Sequence, residues 1–193
     1  MRTIVKTSSW LVVAALLTIL SIFLHEVFHY AAAVLSGAEN VKLHWADITF
    51  DSGSLGSRGL AVTWLAGPIL THTIILWVLL SKTNNLAALA LGLGACSRNL
   101  VLLPFTIKFL LGRDTSTFTN DEVTVGQALE VSPMIFALPA VALSALGLYR
   151  FLTRAKRASS IILATVLVLG VVLGIASWGI IGPILLPGGK GFS

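Results

Sequence analysis

WLVVAALLTILSIFLHEVFHYAAAVL, residues 10–35, is longer than the roughly 20 apolar residues a helix needs to cross a hydrocarbon core. Near its end stands His25-Glu26-Val27-Phe28-His29. Residues four apart share a helix face, so His25 and His29 can hold one metal ion between them. Ionisable side chains at membrane depth are costly and mark function by default. Thr18, Ser21, His25 and His29 follow at spacings of three, four and four, a polar stripe that faces protein rather than lipid. Arg2, Lys6, the apolar Leu11–Leu24 and Ala31-Ala32-Ala33 also fit the outline of a secretory signal. His25, Glu26 and His29 sit badly between such a core and its cleavage site, and membrane sequence follows. The segment reads as a retained first span.

The rest of the chain agrees. It is 56% hydrophobic and only 11% charged, with mean hydropathy +0.93, which excludes a soluble domain. The sequence predicts an all-α polytopic membrane protein, one domain over residues 1–193, integral to a cell membrane. About five spans are expected, near 10–35, 60–80, 86–111, 131–149 and 160–186. A short strand-like loop follows the first. Gly37 ends span one. Ser97-Arg98-Asn99 and Pro104 interrupt span three. Gly170-x-x-x-Gly174 gives span five a small-residue packing face, and Thr63, Gly67 and Thr71 give one to span two. One cysteine, Cys96, excludes an internal disulfide. The net charge of +5 reflects short basic loops meeting the lipid bilayer, not nucleic-acid binding. Nothing in the sequence sets an oligomeric state.

Two connections are long. Val41 to Phe50 partly alternates apolar and polar residues and ends at Asp51-Ser52-Gly53-Ser54, a turn. It predicts one or two short strands, whose edge could take an extended peptide through Val41, Leu43, Trp45 and Ile48. Residues 112–130 are polar. Thr119-x-x-Glu122 fits a capping box, with a short helix starting near Asn120.

H-E-x-x-H on a helix places two histidines on zinc and lets the glutamate act as general base on the water that zinc activates. A catalytic zinc usually has a third protein ligand. Spacing leaves Asp121, Asp114, Glu122, His72 and His44 open for that position. His72 either lines the active site or bonds a neighbouring helix, the second role being the commoner one. Arg98 is expected to pair with an acid near the site, such as Asp114 or Glu122.

The H-E-x-x-H in a span, the strand-like loop, Ala66-Gly67-Pro68 in the next span, and Asn99-Leu100 with Leu103-Pro104 together resemble the site-2 protease family of intramembrane zinc metalloproteases. The resemblance covers roughly Ser9 to Leu129. It implies one zinc ion held by His25, His29 and a downstream Asp, with Glu26 as catalytic base. Asn120-Asp121-Glu122 fits that Asp best, and Asp114 is the alternative. It also implies an active site lined by Gly67, Pro68, Thr71, His72 and Asn99, and a membrane protein or peptide as substrate. The chain departs from the family pattern at Phe28, Thr71 and Glu122, where Gly, Asn and Gly are usual. Two other classes fit the same residues: a metal-binding transporter or sensor, and a catalytically inactive homologue. Orientation is contested. Seven basic residues on the N-terminal side against five opposite favour a cytoplasmic N-terminus. The resemblance implies the reverse.

Overall fold

A computed structural model describes residues 2–81, 83–118, 120–158 and 161–188. Five helical segments in it are long and apolar enough to cross a membrane: Ser9–Leu35, Ser57–Ser81, Leu86–Leu110, Met134–Ala155 and Ile161–Leu185. The first belongs to α1 (Arg2–Leu35) and the second is α2 (Ser57–Ser81). The third divides into α3 (Leu86–Arg98), a 3-10 turn at Asn99–Val101, and α4 (Leu102–Leu110). A short α5 (Asp121–Ala128) precedes α6 (Met134–Ala158) and α7 (Ile161–Leu185). The protein is therefore a polytopic helical membrane protein with one small sheet, β1 (Glu39–Leu43) and β2 (Ile48–Asp51).

Helix α1 is central and packs against α2, α3 and α7. Close approach is possible because the facing residues are small. A Cβ on Gly170 would meet Leu11 O and the Ala14 methyl at 2.6 Å; one on Gly174 would meet Ala15 O at 2.6 Å. Lipid offers no hydrophobic drive for helix association, so such backbone-to-backbone fit carries much of it. Thr18 and Ser21, the first half of the polar stripe, bond back to Ala14 O and Thr18 O at 2.8 Å. Their polarity is satisfied inside α1, which leaves His25 and His29 as the groups that reach outward.

Helix α1 ends as its sequence predicts. Gly37 takes φ +84°, Gly37 N–H donates to Val34 O, and Ala38 N–H donates to Ala33 O. This pairing satisfies the last carbonyls and turns the chain into β1. β1 and β2 pair antiparallel, with Lys42 opposite Thr49 and Leu43 opposite Ile48. The loop between them is tied to α7. Trp178 Nε1 donates to Trp45 O at 2.7 Å, and the His44 Nδ1 atom lies 2.9 Å from Pro187 O. Trp45, Ile22 and Trp178 bury together as a small core.

Two boundaries differ from the sequence reading. The fourth span starts at Met134, just after Pro133, rather than at 131. At its other end, Arg150 to Arg157 is not a loop: α6 runs on to Ala158. Phe151 and Ala155, four apart, bury fully against the main core. Arg154 donates to Val78 O at 2.9 Å and Leu79 O at 3.0 Å, satisfying carbonyls at the end of α2. Buried contacts and a helix-end cap outweigh the cluster of positive charge. In the third span the break falls at Asn99–Val101, and Pro104 sits in the first turn of α4, where a missing N–H is tolerated. The capping box falls on Thr119, outside the described residues. Asn120 is the N-cap of α5 and accepts from Val123 N–H at 2.9 Å.

Candidate metal centre

The i, i+4 histidines of α1 meet α2 on one side and α5 on the other. Both rings point Nε2 toward a common position. His25 Nε2 lies 2.9 Å from His29 Nε2 and 2.9 Å from Asp121 Oδ2; His29 Nε2 lies 3.2 Å from the same carboxylate oxygen. Three ligand atoms of a tetrahedral zinc, each about 2.0–2.1 Å from the metal, stand about 3.3–3.4 Å apart. The observed triangle is slightly tighter and of the right size. Both histidines are fully buried.

The far side of each ring is also fixed. His29 Nδ1 donates to Thr63 O at 2.7 Å. A carbonyl can only accept, so Nδ1 carries a proton, and once the ring is neutral its Nε2 lone pair is the one presented to a metal ion. His25 Nδ1 lies 2.8 Å from Thr71 Oγ1. Ligating histidines are oriented by such outer bonds. Pro68 has no N–H to donate to Trp64 O, the carbonyl next to the Thr63 O that takes the His29 bond. Between Thr63 and Thr71, Gly67 has no side chain, and a Cβ there would collide with Nε2 of both histidines. Span two's small face thus cups the histidine pair.

Charge leads to the same conclusion. Glu26, Asp121 and Glu122 are all buried, and Arg98 is the cation beside them. Its Nη2 lies 3.2 Å from Glu26 Oε1 and 3.0 Å from Asp121 Oδ2. Three carboxyls against one guanidinium leave a deficit that a dication or protons must balance, since buried charge needs pairing. Asp121 heads α5, where the helix dipole also favours an acid. Burial opposes its ionisation, yet His29 and Arg98 hold its carboxyl well below the usual carboxylate range. At Glu122, burial and the neighbouring Asp121 charge push the carboxyl up to about 7. His25, His29 and Asp121 thus form a buried group that can hold a metal ion.

Other expected site residues lie elsewhere. Asp114 is exposed and accepts from Ser116 N–H at 2.8 Å. Arg98 does pair with acids of the site, as expected, but its bonds go to Glu26 and Asp121 rather than to Asp114 or Glu122. His72 and Asn99 bond to each other at 3.2 Å, and Asn99 also donates to Ser144 Oγ at 2.9 Å. They join α2, the break in span three and α6 rather than lining the site. His44 holds Pro187 and Thr49 beside the hairpin.

A cavity of about 690 Å³ adjoins the cluster, and Asp121 and Arg98 are in its wall. Its other walls include Ile48, Thr49 and Phe50 of β2, and Trp64 of α2. Of the four expected strand residues only Ile48 lines it. Val41 and Leu43 belong to β1, and Trp45 is an anchor in the core with Trp178. Trp64, absent from the sequence expectations, packs at a tilt against both rings, its centroid 5.5 Å from that of His29 and 5.9 Å from that of Phe50. Nothing in sequence separates it from the tryptophans that sit at membrane interfaces.

Replacing Asp121 by Ala is expected to lower bound metal by at least about tenfold, as loss of one of three ligands implies. Asp114→Ala is expected to bind as wild type. Metal content after dialysis against a weak chelator reads both. The opposite pattern would move the third ligand to Asp114. No family model matches the chain, and no curated protein or solved structure matches it.

Proposed function

We propose that the protein is an intramembrane zinc metallopeptidase, as its resemblance to the site-2 proteases implies. The observation that carries the reading is the meeting of His25, His29 and Asp121 at one point, with Glu26 buried beside them. Two imidazoles and a carboxylate suit zinc among the divalent ions. A bound zinc supplies Lewis-acid polarisation of a carbonyl and a water of lowered pKa.

The chain's own residues do the rest. Thr63 and Thr71 keep both Nε2 atoms aimed. Glu26 takes the proton from water as its oxygen attacks, then delivers that proton to the leaving amine nitrogen. A helical substrate must unwind before cleavage, because its carbonyls are engaged in internal hydrogen bonds. β2 offers an edge beside the cavity, where an unwound segment gains backbone partners. The apolar residues there, Ile48, Phe50 and Trp64, suit a membrane-derived peptide.

The test is incubation of the zinc-loaded protein, in bilayers, with a pool of single-span peptides, and mass spectrometry of the products. New termini that appear with zinc and vanish on chelation support the reading. Intact peptides beside a fully zinc-loaded protein overturn it in favour of metal transport, sensing or an inactive homologue.

A further inference from the structure

Arg98 closes α3 at the wall between the cavity and the metal-ligand cluster. A guanidinium has five N–H donors in a rigid fork. Among the described residues its acceptors are Glu26 Oε1 and Asp121 Oδ2, both reached through Nη2. The side chain is 21% exposed, and it faces the cavity. Nη2 is thus anchored to Glu26 and to Asp121, while Nε and Nη1 bond to none of the described residues. A residue needed only to neutralise Glu26 and Asp121 would use its fork on both carboxylates. This one bonds them by a single nitrogen, and the residue stands in the cavity wall.

We propose that Arg98 is a catalytic residue of the peptidase reaction, donating through its free N–H groups to the substrate's scissile carbonyl oxygen. The inference rests on the peptidase reading above. When the water oxygen bonds to the carbonyl carbon, the carbonyl π pair moves to oxygen and Glu26 takes the proton. The negative charge then stands on an oxygen beside a cation held among buried groups, where such donors act most strongly. When the carbon–nitrogen bond breaks, the C=O bond re-forms and the proton passes from Glu26 to nitrogen. The anchoring of Nη2 keeps the fork in place throughout, so no reorganisation accompanies the charge movement.

Acetohydroxamate, a small anion with a carbonyl-type oxygen, is the probe. It is titrated into the cobalt(II)-loaded protein and followed by visible absorption, a readout independent of peptide cleavage. Arg98→Gln is expected to keep one cobalt and to bind acetohydroxamate at least tenfold more weakly. Arg98→Lys, which keeps charge but not the fork, is expected to fall between. Equal affinity in Arg98→Gln and wild type overturns the proposal. So does loss of cobalt from Arg98→Gln, which would make Arg98 a holder of Asp121. If Arg98→Gln does not fold, Arg98→Lys decides: wild-type affinity overturns the proposal and weakened affinity sustains it. Wild-type protein that takes up no cobalt overturns the metal-centre reading itself, and this inference with it.

Discussion

Glu26→Gln is expected to hold metal at wild-type stoichiometry and to cleave peptide about 10²–10⁴-fold more slowly, the usual contribution of a positioned general base. Glutamine keeps the size and still presents an oxygen to Arg98 Nη2, which now bonds Glu26 Oε1 at 3.2 Å. The metal ligands are on the preceding residue, three residues on, and in α5, so none is removed. The measurement pairs zinc content with product formation for both proteins. Cleavage within a few-fold of wild type at equal zinc would remove Glu26 as the base. Loss of zinc together with activity would show that Glu26 helps to build the site.

Gly67→Ala is expected to lower metal affinity by about 100-fold or more, comparable to the upper range for a disrupted outer shell. The added methyl would strike Nε2 of His25 and of His29. Neither ring can swing away without breaking its Nδ1 bond to Thr71 or Thr63. Alanine is the better helix former by roughly 1 kcal/mol, so the helix itself is not weakened. Gly179→Ala in α7 is the control, because nothing lies within 4 Å of that Cβ. Competition with a zinc chelator, with thermal melting in detergent alongside, reads the result. Wild-type affinity in Gly67→Ala would mean that the two imidazoles do not share an ion in the observed pose.

Spans one, two and five are legible in the sequence from hydropathy alone, and His25, Glu26 and His29 from helical spacing. Gly37 and Gly170-x-x-x-Gly174 are readable because backbone stereochemistry and close packing act locally. Asp121 is separable from Asp114 only through resemblance, since spacing does not tell which polar-loop acid reaches α1. The partners of Arg98 depend on the rotation of α3, which no local pattern records. The Thr63 carbonyl leaves no trace in sequence at all. The continuation of α6 through Arg150–Arg157 has a readable signal, Phe151 and Ala155 four apart, which the charge cluster obscures. Alternation singles out Val41, Leu43, Trp45 and Ile48 together, yet only Ile48 reaches the cavity wall, because the packing of the hairpin decides which of its strands faces the cavity.

The pairing of Glu26 with Arg98 also bears on how the chain enters the bilayer. The two residues are 72 positions apart. A charged group at the centre of a span costs about 2.5–3.5 kcal/mol on insertion scales. The first span is made long before its counter-charge exists, and the second brings no cation to that depth. Release into lipid one helix at a time would leave Glu26 among acyl chains with no guanidinium near it. The first three spans therefore favour leaving the insertion machinery as a group, with α1 waiting for α3. A nascent chain stopped at Ser81 already contains the whole H-E-x-x-H and two apolar spans, yet to the cell's quality control it is still an unassembled helix pair.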